Sequence, residues 1–550
     1  MTAHPPAPLA TEDLPSDAAV VVVGSGFGAS VTAARVAGHA GAGGTVVLER
    51  GREWVPGDFP ESFGEVRSAI RSKSNPFGLF DLALGADVDR LTANGLGGGS
   101  LIYANVMLEP RPEVFDEHWP TAIDGAVMAP YFDRVRSVLR PERVPEPFVE
   151  KARPLMDLAA VRGTSAERVP VAIKLTQRPG ADDDRPVCTG CGNCVTGCNV
   201  RAKTTMWESY LPMAARAGAR IVTGVEVQRI ERCALPGRRW SVVGVRRARA
   251  ASGRIVQTPF TVTTDTVVLG AGSIGSTSIL LRSAAAGLGL SPRLGERFSG
   301  NADSLGVSYN TGSRRSGTGA KHSHMPEVVV GPTITAMLDQ RDGAGGYLLQ
   351  DGALPYGLAE ALRRVLGLRF ALSKDTKVWC DIRPGGCPPG CGAIEHSQVW
   401  LAMGTDSSAG RIVLDRRDHP RILWAGSGSQ SVYARQLDDL RALSNAEEAT
   451  FVGNPRRALL QRGVPAATPI TVHPLGGAVM ADDVDRGVCD ADGRVFDPAG
   501  GVHDGLLVAD GALVATSTGS NPALTIAALA ERIAERLVLR LAADDTAAAR

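Results

Sequence analysis

The stretch that decides the fold reads Ala18-Ala19-Val20-Val21-Val22-Val23, then Gly24-Ser25-Gly26-Phe27-Gly28-Ala29, then the alanine-rich segment Ser30–Ala40. An uncharged apolar run ending in consecutive valines predicts a short parallel strand buried on both faces. A glycine turn and a helical stretch come directly after it, the order a dinucleotide site requires. Gly24 permits the tight turn, Gly26 lets the backbone approach a diphosphate, and the helix N-terminus offers unpaired amides and a partial positive charge. Gly28 completes the G-x-G-x-G run, and Ala29 keeps the helix close to the strand. The next strand, Thr45–Leu48, ends in Glu49, about 25 residues past Gly24, near the separation expected of an acid that bonds ribose hydroxyls. A lone glycine run arises by chance and a glutamate at a strand end is ordinary. Strand, turn, helix and acid together predict an α/β chain with a doubly wound nucleotide-binding domain, and leave the choice between NAD and FAD open.

Further glycine-rich stretches lie outward from this core: Asn94-Gly95-Leu96-Gly97-Gly98-Gly99-Ser100-Leu101-Ile102-Tyr103, and Val267-Val268-Leu269-Gly270-Ala271-Gly272-Ser273-Ile274-Gly275. Toward the C-terminus stand His473-Pro474-Leu475-Gly476-Gly477 and the segment from Asp510 to Asn521-Pro522. This set, in this order, resembles the glucose-methanol-choline (GMC) flavin oxidoreductases, most closely their cholesterol oxidase branch. The resemblance implies bound FAD, a Rossmann-type FAD domain assembled from discontinuous segments, and a substrate-binding α+β domain with a mixed sheet. It places Gly24, Gly26, Gly28 and Glu49 on the adenosine diphosphate half of FAD, and Gly98, Gly99, Ser100 and Asp510 along the flavin half. It puts Val225, in the expected strand Arg220–Val227, against the adenine. On the same pattern the FAD domain gathers 17–110, 200–310 and 465–541, and the substrate domain 111–199 and 311–464. One departure is Tyr103, with Asn105 two places on, where the steroid-oxidising members carry an asparagine.

Oxidising an alcohol removes a hydroxyl proton while the adjacent carbon delivers hydride, so a neutral imidazole near a flavin suits the work. His473, in the context of the family's catalytic histidine, is the candidate base; the alternative is a core histidine satisfied by a carbonyl. Asn521 is its candidate partner for the substrate oxygen or the reduced flavin. Asn521-Pro522 also reads as ordinary helix initiation ahead of Ala523–Leu537, and both roles are compatible.

The loop Cys188-Thr189-Gly190-Cys191-Gly192-Asn193-Cys194-Val195-Thr196-Gly197-Cys198 has the C-x2-C-x2-C-x3-C spacing of bacterial ferredoxins, with Asn199 in place of the usual proline. It reads as a candidate iron-sulfur site. Structural zinc, disulfides and inert buried thiols are the competing readings, and Cys387 and Cys391 are candidates for a distant fourth ligand.

Lys and Arg number 59 against 58 Asp and Glu, which gives no electrostatic call for nucleic acid. Met1–Asp17 lacks the basic start and apolar centre of an export signal and reads as a disordered cytoplasmic tail. No apolar run is long enough to span a bilayer, while the amphipathic segment Leu358–Leu372 leaves peripheral membrane contact open. His322, His324, His396 and His503 carry no supporting motif. The expectation is a soluble, cytoplasmic, FAD-dependent enzyme oxidising a secondary alcohol on a bulky, apolar, sterol-like substrate. A cluster would pass electrons to an acceptor protein or quinone. A direct oxygen-using oxidase without a cluster is an alternative, and so is a non-redox lyase or isomerase on the same fold.

Overall fold

Strand β1 (Asp17–Val23) forms where the valine run predicts it, and Val20, Val21 and Val22 are fully buried because neighbours cover both faces. The computed structural model describes residues 7–548 apart from 42, 178–182, 236, 314–316, 322–328, 344, 373–374, 384–390 and 455–467. β1 pairs in parallel with β2 (Thr45–Glu49) on one side and with the inner end of the long strand Ile255–Leu269 on the other. Arg220–Thr223 continues the parallel core beyond β2, and Val502–Val508 continues it beyond Ile255–Leu269. Antiparallel pairings add Trp240–Arg249, Val225–Arg232 and Arg494–Phe496, completing an eight-stranded sheet. The strand expected over Arg220–Val227 is broken at Gly224. A Cβ there would lie 2.6 Å from the Arg247 carbonyl, and φ is +73°. Val225 therefore opens a new strand.

Helix α1 (Phe27–Val36) packs against the C-terminal helix Ala523–Ala548. A carboxylate holds the contact. Arg35 donates to both oxygens of the buried Glu531 at 2.8 and 2.9 Å, and the Tyr210 hydroxyl donates to Oε1 at 2.8 Å. The N-terminal segment is not a loose tail from Leu9 onward. The amides of Leu9 and Ala10 donate to the Glu53 carboxylate, and Thr11 N–H donates to the Ile221 carbonyl at 2.7 Å.

A second sheet of six strands runs in the order Thr450–Val452, Ser304–Tyr309, Gln398–Gly404, Tyr347–Gly352, Ala336–Gln340 and Glu167–Arg168. Every pairing in it is antiparallel, not mixed as the resemblance implied. Ser304–Tyr309 falls in the segment 200–310 expected on the nucleotide side. Alternation along the central strands sends successive apolar residues to opposite faces, and both faces are covered. Leu349 and Ala402 join the cluster under helix Ser431–Ala446, while their neighbours Leu348 and Leu401 face a second cluster that includes Val106, Ile173 and Cys194.

The segment Leu358–Leu372 is realised as helix Tyr356–Arg369. Ala359 and Leu366 pack into a core cluster with Tyr309 and Val378. Among the described residues no helix is long and apolar enough to cross a membrane. The hairpin β3 (Phe80–Ala83) and β4 (Asp89–Ala93) is joined by Ile470–Thr471, which pairs in parallel with β4 and leads directly to His473. Between these parts lies a cavity of about 1600 Å³, walled by the glycine turns, the β3–β4 hairpin and residues of the second sheet.

Candidate active site

The nucleotide end of the cavity is built by β1, its glycine turn and α1, and each glycine does a different job. Gly24 has φ +96°, and a Cβ on it would lie 2.4 Å from the Gly270 carbonyl oxygen; a Cβ on Gly28 would lie 1.6 Å from that of Ala509. Both are required by the packing of the chain against itself. Gly26 and Gly99 have nothing within 4 Å of a built Cβ, and both line the cavity. Their bare backbone is open to a ligand. Gly98 packs on Gly26, with a Cβ 2.6 Å from its Cα. Ser100 is buried and does not line the cavity: its hydroxyl donates to the Gly97 carbonyl at 2.6 Å and accepts from Met206 N–H at 2.9 Å, so it holds the turn.

Glu49 sits at the end of β2 on the cavity wall. Its carboxylate accepts from the Ser25 hydroxyl at 2.5 Å and from Gly51 N–H at 2.8 Å, and burial raises its pKa. Val225 lines the same end. Asp510 lines the cavity too, but its carboxylate is engaged. Oδ2 accepts from Gly272 N–H and the Ser276 hydroxyl at the start of helix Gly272–Ala285, and Oδ1 accepts from Ala512 N–H. Burial pushes its pKa up to about 6. The open glycine backbone, the α1 N-terminus and a carboxylate at the ribose distance fit FAD. A buried side chain adds to the fit. Asn105 lines the cavity with φ +70°, and neither its Oδ1 nor its Nδ2 has a hydrogen-bond partner, a costly state that a polar ligand would relieve. Tyr103, by contrast, donates to the Thr204 carbonyl at 2.6 Å and packs edge-on against Phe27.

At the other end His473 and Asn521 both reach the cavity. The turn Gly300–Asp303 holds each in place. Asp303, almost fully buried, accepts from His473 Nδ1 at 2.9 Å through Oδ1, while its Oδ2 accepts from Val472 N–H at 2.9 Å and the Thr471 hydroxyl at 3.2 Å. A carboxylate facing Nδ1 puts the imidazole proton there and leaves the lone pair on Nε2. Two residues earlier, Asn301 Oδ1 accepts from the amides of Thr518 and Gly519, and its Nδ2 donates to the Ser520 carbonyl, fixing the loop that carries Asn521. Asn301 and Ala302 are both left-handed, with φ of 57° and 46°. Such strain clusters at functional sites and needs over-determined surroundings. The buried Asp406 supplies them by accepting from Gly300 and Ala302 N–H at 3.0 and 2.9 Å.

Asn521 is not the cap its sequence suggests. Pro522 C=O accepts the first helical bond, from Ile526, and Asn521 Oδ1 accepts from Gln350 Nε2 at 2.9 Å. This leaves the Asn521 NH₂ as the donor for the cavity. Sequence reading missed Asp303, Asn301, Gln350 and Asp406, which lie far from the motifs they serve. The one local signal was Gly300-Asn301-Ala302-Asp303, a polar, turn-prone stretch ahead of a strand.

The structure does not show the iron-sulfur site expected of the cysteine loop. Cys188, Cys194 and Cys198 pack into the apolar cluster with Val106, Ile173 and Ile334. Burial raises the Cys188 and Cys198 thiols and pushes Cys191 up to about 12. Among the described residues no group of three or more His, Cys, Asp or Glu side chains is placed to hold a metal ion. The Cys188, Cys191 and Cys198 thiols each feel the charge of Cys194, so the four lie close together in the loop. Ferredoxin spacing is here built on the left-handed glycines Gly190, Gly192 and Gly197; Cys194 is buried and Cys188, Cys191 and Cys198 are half-buried. Cys387, His322 and His324 lie outside the described residues. Cys391 Sγ instead lies 2.9 Å from Cys380 Sγ.

A doubly wound nucleotide fold, a ligand-ready glycine cradle and an imidazole–amide pair in one cavity define the class as a flavin-type oxidoreductase. The comparisons with known proteins are specific: models of the GMC oxidoreductase family match residues 21–301 and 408–530, and the chain belongs to that family. It is 27% identical to a cholesterol oxidase of Acinetobacter baumannii over 93% of both chains. It is 28% identical to a cholesterol oxidase of Mycobacterium tuberculosis over 94% of this chain and 90% of that one. Among solved structures, pyridoxine 4-oxidase from Mesorbium loti matches in fold, with a TM-score of 0.59 at 18% identity over 94% of this chain and 99% of that one. A fungal aryl-alcohol oxidase has a TM-score of 0.58 at 14% identity over 96% of this chain and 100% of that one. The chain is a FAD-dependent alcohol oxidase or dehydrogenase by family.

Proposed function

We propose that this enzyme oxidises a secondary alcohol on a bulky apolar substrate of the sterol kind, with His473 as the base and Asn521 as the oxygen-binding amide. The observation that carries the reading is the Asp303–His473–cavity arrangement, in which an oriented imidazole faces a large apolar chamber. Gly24, Gly26, Gly28, Glu49, Gly98, Gly99 and Val225 would hold FAD, which supplies the hydride acceptor when bound. His473 Nε2 takes the hydroxyl proton as the carbinol C–H bond breaks toward that acceptor, and the alcohol leaves as a ketone. Asn521 Nδ2 donates to the substrate oxygen and orients it. Val106, Leu305, Val307, Ile334, Leu354 and Leu401 wall the chamber with apolar surface, which favours a large hydrocarbon over a small polar alcohol. The two cholesterol oxidases among its relatives support the same substrate class.

The segments 111–199 and 311–464 are proposed as the substrate side, extended by the strand Ser304–Tyr309. Molecular oxygen is the acceptor proposed, supported by the cholesterol oxidases among its relatives, and the cysteine loop is given no part in this scheme. Turnover of 3β-hydroxysteroids against short-chain alcohols, with hydrogen peroxide quantified, tests the reading. Peroxide equal to ketone, with the steroid favoured in kcat/KM, supports it; selective turnover of small alcohols, or turnover with dyes alone, rejects it.

A further inference from the structure

Arg90 is a buried cation with no hydrogen bond or close ion pair of its own among the described residues; the Asp81 carboxylate whose charge it feels is shared with Arg50 and Arg71. It is 9% exposed and lines the cavity, yet no carboxylate or carbonyl of the described residues bonds its guanidinium. Its neighbours are already matched. Asp81 takes Arg50 at 2.7 Å and Arg71 at 3.4 Å, and Glu226 pairs with Arg71 and Arg247. Arg50, Arg71, Arg90 and Arg247 outnumber the carboxylates they face, Glu49, Asp81 and Glu226, and a buried surplus of positive charge is costly, so it implies an anion that arrives from outside.

The backbone fixes where along the cavity that anion lies. The C-terminal end of β4 runs into Gly95, which touches Gly51 next to Glu49; a Cβ on Gly51 would lie 2.4 Å from Gly95 N. At its other end β4 pairs with Ile470–Thr471, and Arg90 itself is in register with Thr471, two residues before His473. Arg90 thus starts from the base end of a strand that spans to the ribose carboxylate, and its side chain lies within electrostatic reach of Asp81 and of Arg50, the residue after Glu49, and so between the two ends. In a dinucleotide laid between those two points, the anionic part is the diphosphate.

We propose that Arg90 is a cofactor-binding residue that meets the diphosphate of FAD from the β4 side, opposite the N-terminus of α1. The proposal rests on the FAD reading above. A guanidinium bonded to phosphate oxygens contributes about 10- to 100-fold in affinity, the range of hydrogen bonds to charged groups.

The test titrates the full-length chain, freed of flavin, with FAD, ADP and adenosine by calorimetry, with thermal melting as a folding control. Arg90→Gln is expected to weaken FAD and ADP by about 10- to 100-fold and to leave adenosine unchanged. Arg90→Lys, which keeps the charge, should recover part of the loss, and added salt should weaken ADP binding to the wild type more than to Arg90→Gln. Wild-type affinity for FAD and ADP in Arg90→Gln, or an equal loss for adenosine, overturns the proposal. A wild-type chain that binds neither FAD nor ADP overturns the flavin reading itself, and this proposal with it.

Discussion

His473, the proposed base, is oriented by a residue that does not line the cavity. Asp303 holds Nδ1 and the backbone ahead of the ring, so Nε2 alone faces the chamber. Asp303→Asn still fits the turn but can present an NH₂ to Nδ1 and favour the wrong tautomer. We expect kcat to fall on the order of 10²-fold or more, with KM little changed because the substituted group is buried behind the ring. Steady-state kinetics with a good substrate check this; a rise in KM at constant kcat contradicts it. His473 was legible because its Pro-Leu-Gly-Gly context is local. Asp303 was not, since its role depends on a tertiary approach across about 170 residues of chain. Asn521 was singled out by its context as well. Its expected capping bond is replaced by the contact with Gln350, which no pattern of periodicity discloses.

At the scale of elements, the glycine turn separates folding from ligand binding. Gly28→Ala drives a methyl into the Ala509 carbonyl, whereas Gly26→Ala meets no protein atom within 4 Å. Thermal melting should therefore show Gly28→Ala strongly destabilised or unfolded. Gly26→Ala should melt as the apo wild type does and lose flavin affinity, read by fluorescence titration. This strand–turn–helix was almost wholly readable in sequence, because local rules fix it: apolar run, turn chemistry, helix. The cysteine loop shows where such reading stops. Its spacing satisfies a ligand pattern, but spacing constrains only the chain between the thiols, and no metal-holding group is shown there among the described residues. Glycine broke the strand expected through Val225.

For the whole molecule, a buried ion pair and a buried carboxyl tie stability to the second sheet and to pH. Lys151 and Asp351 pair with both side chains fully buried, and Asp351 stands next to Gln350, the residue that holds Asn521. Lys151→Met removes one partner and should cost about 3–5 kcal/mol in urea unfolding, with part recovered on adding Asp351→Leu. Asp510 has a folded-state pKa of about 6 against an ordinary 3.8 because it is buried. A raised carboxyl stabilises the fold below its unfolded value and loses that contribution as pH rises through the folded value. The Asp510 contribution to the apo protein therefore declines between about pH 4 and about pH 6. Melting curves across this window should show a weaker decline in Asp510→Asn, and an unchanged slope contradicts the assignment. The sequence disclosed the parallel core of the first sheet but not the antiparallel order of the second. Strands buried on both faces lack the alternation that would reveal their pairing.

The central claim is that His473 takes a proton from an alcohol while bound flavin takes hydride, and anaerobic stopped-flow spectroscopy of the full-length holoprotein mixed with a 3β-hydroxysteroid tests it most directly. The account predicts that the wild type loses its oxidised-flavin absorbance in a single turnover. His473→Ala, carrying the same flavin content, should do so about 10²- to 10⁴-fold more slowly. A wild-type spectrum unchanged by any secondary alcohol, or reduction of His473→Ala at the wild-type rate, would contradict it.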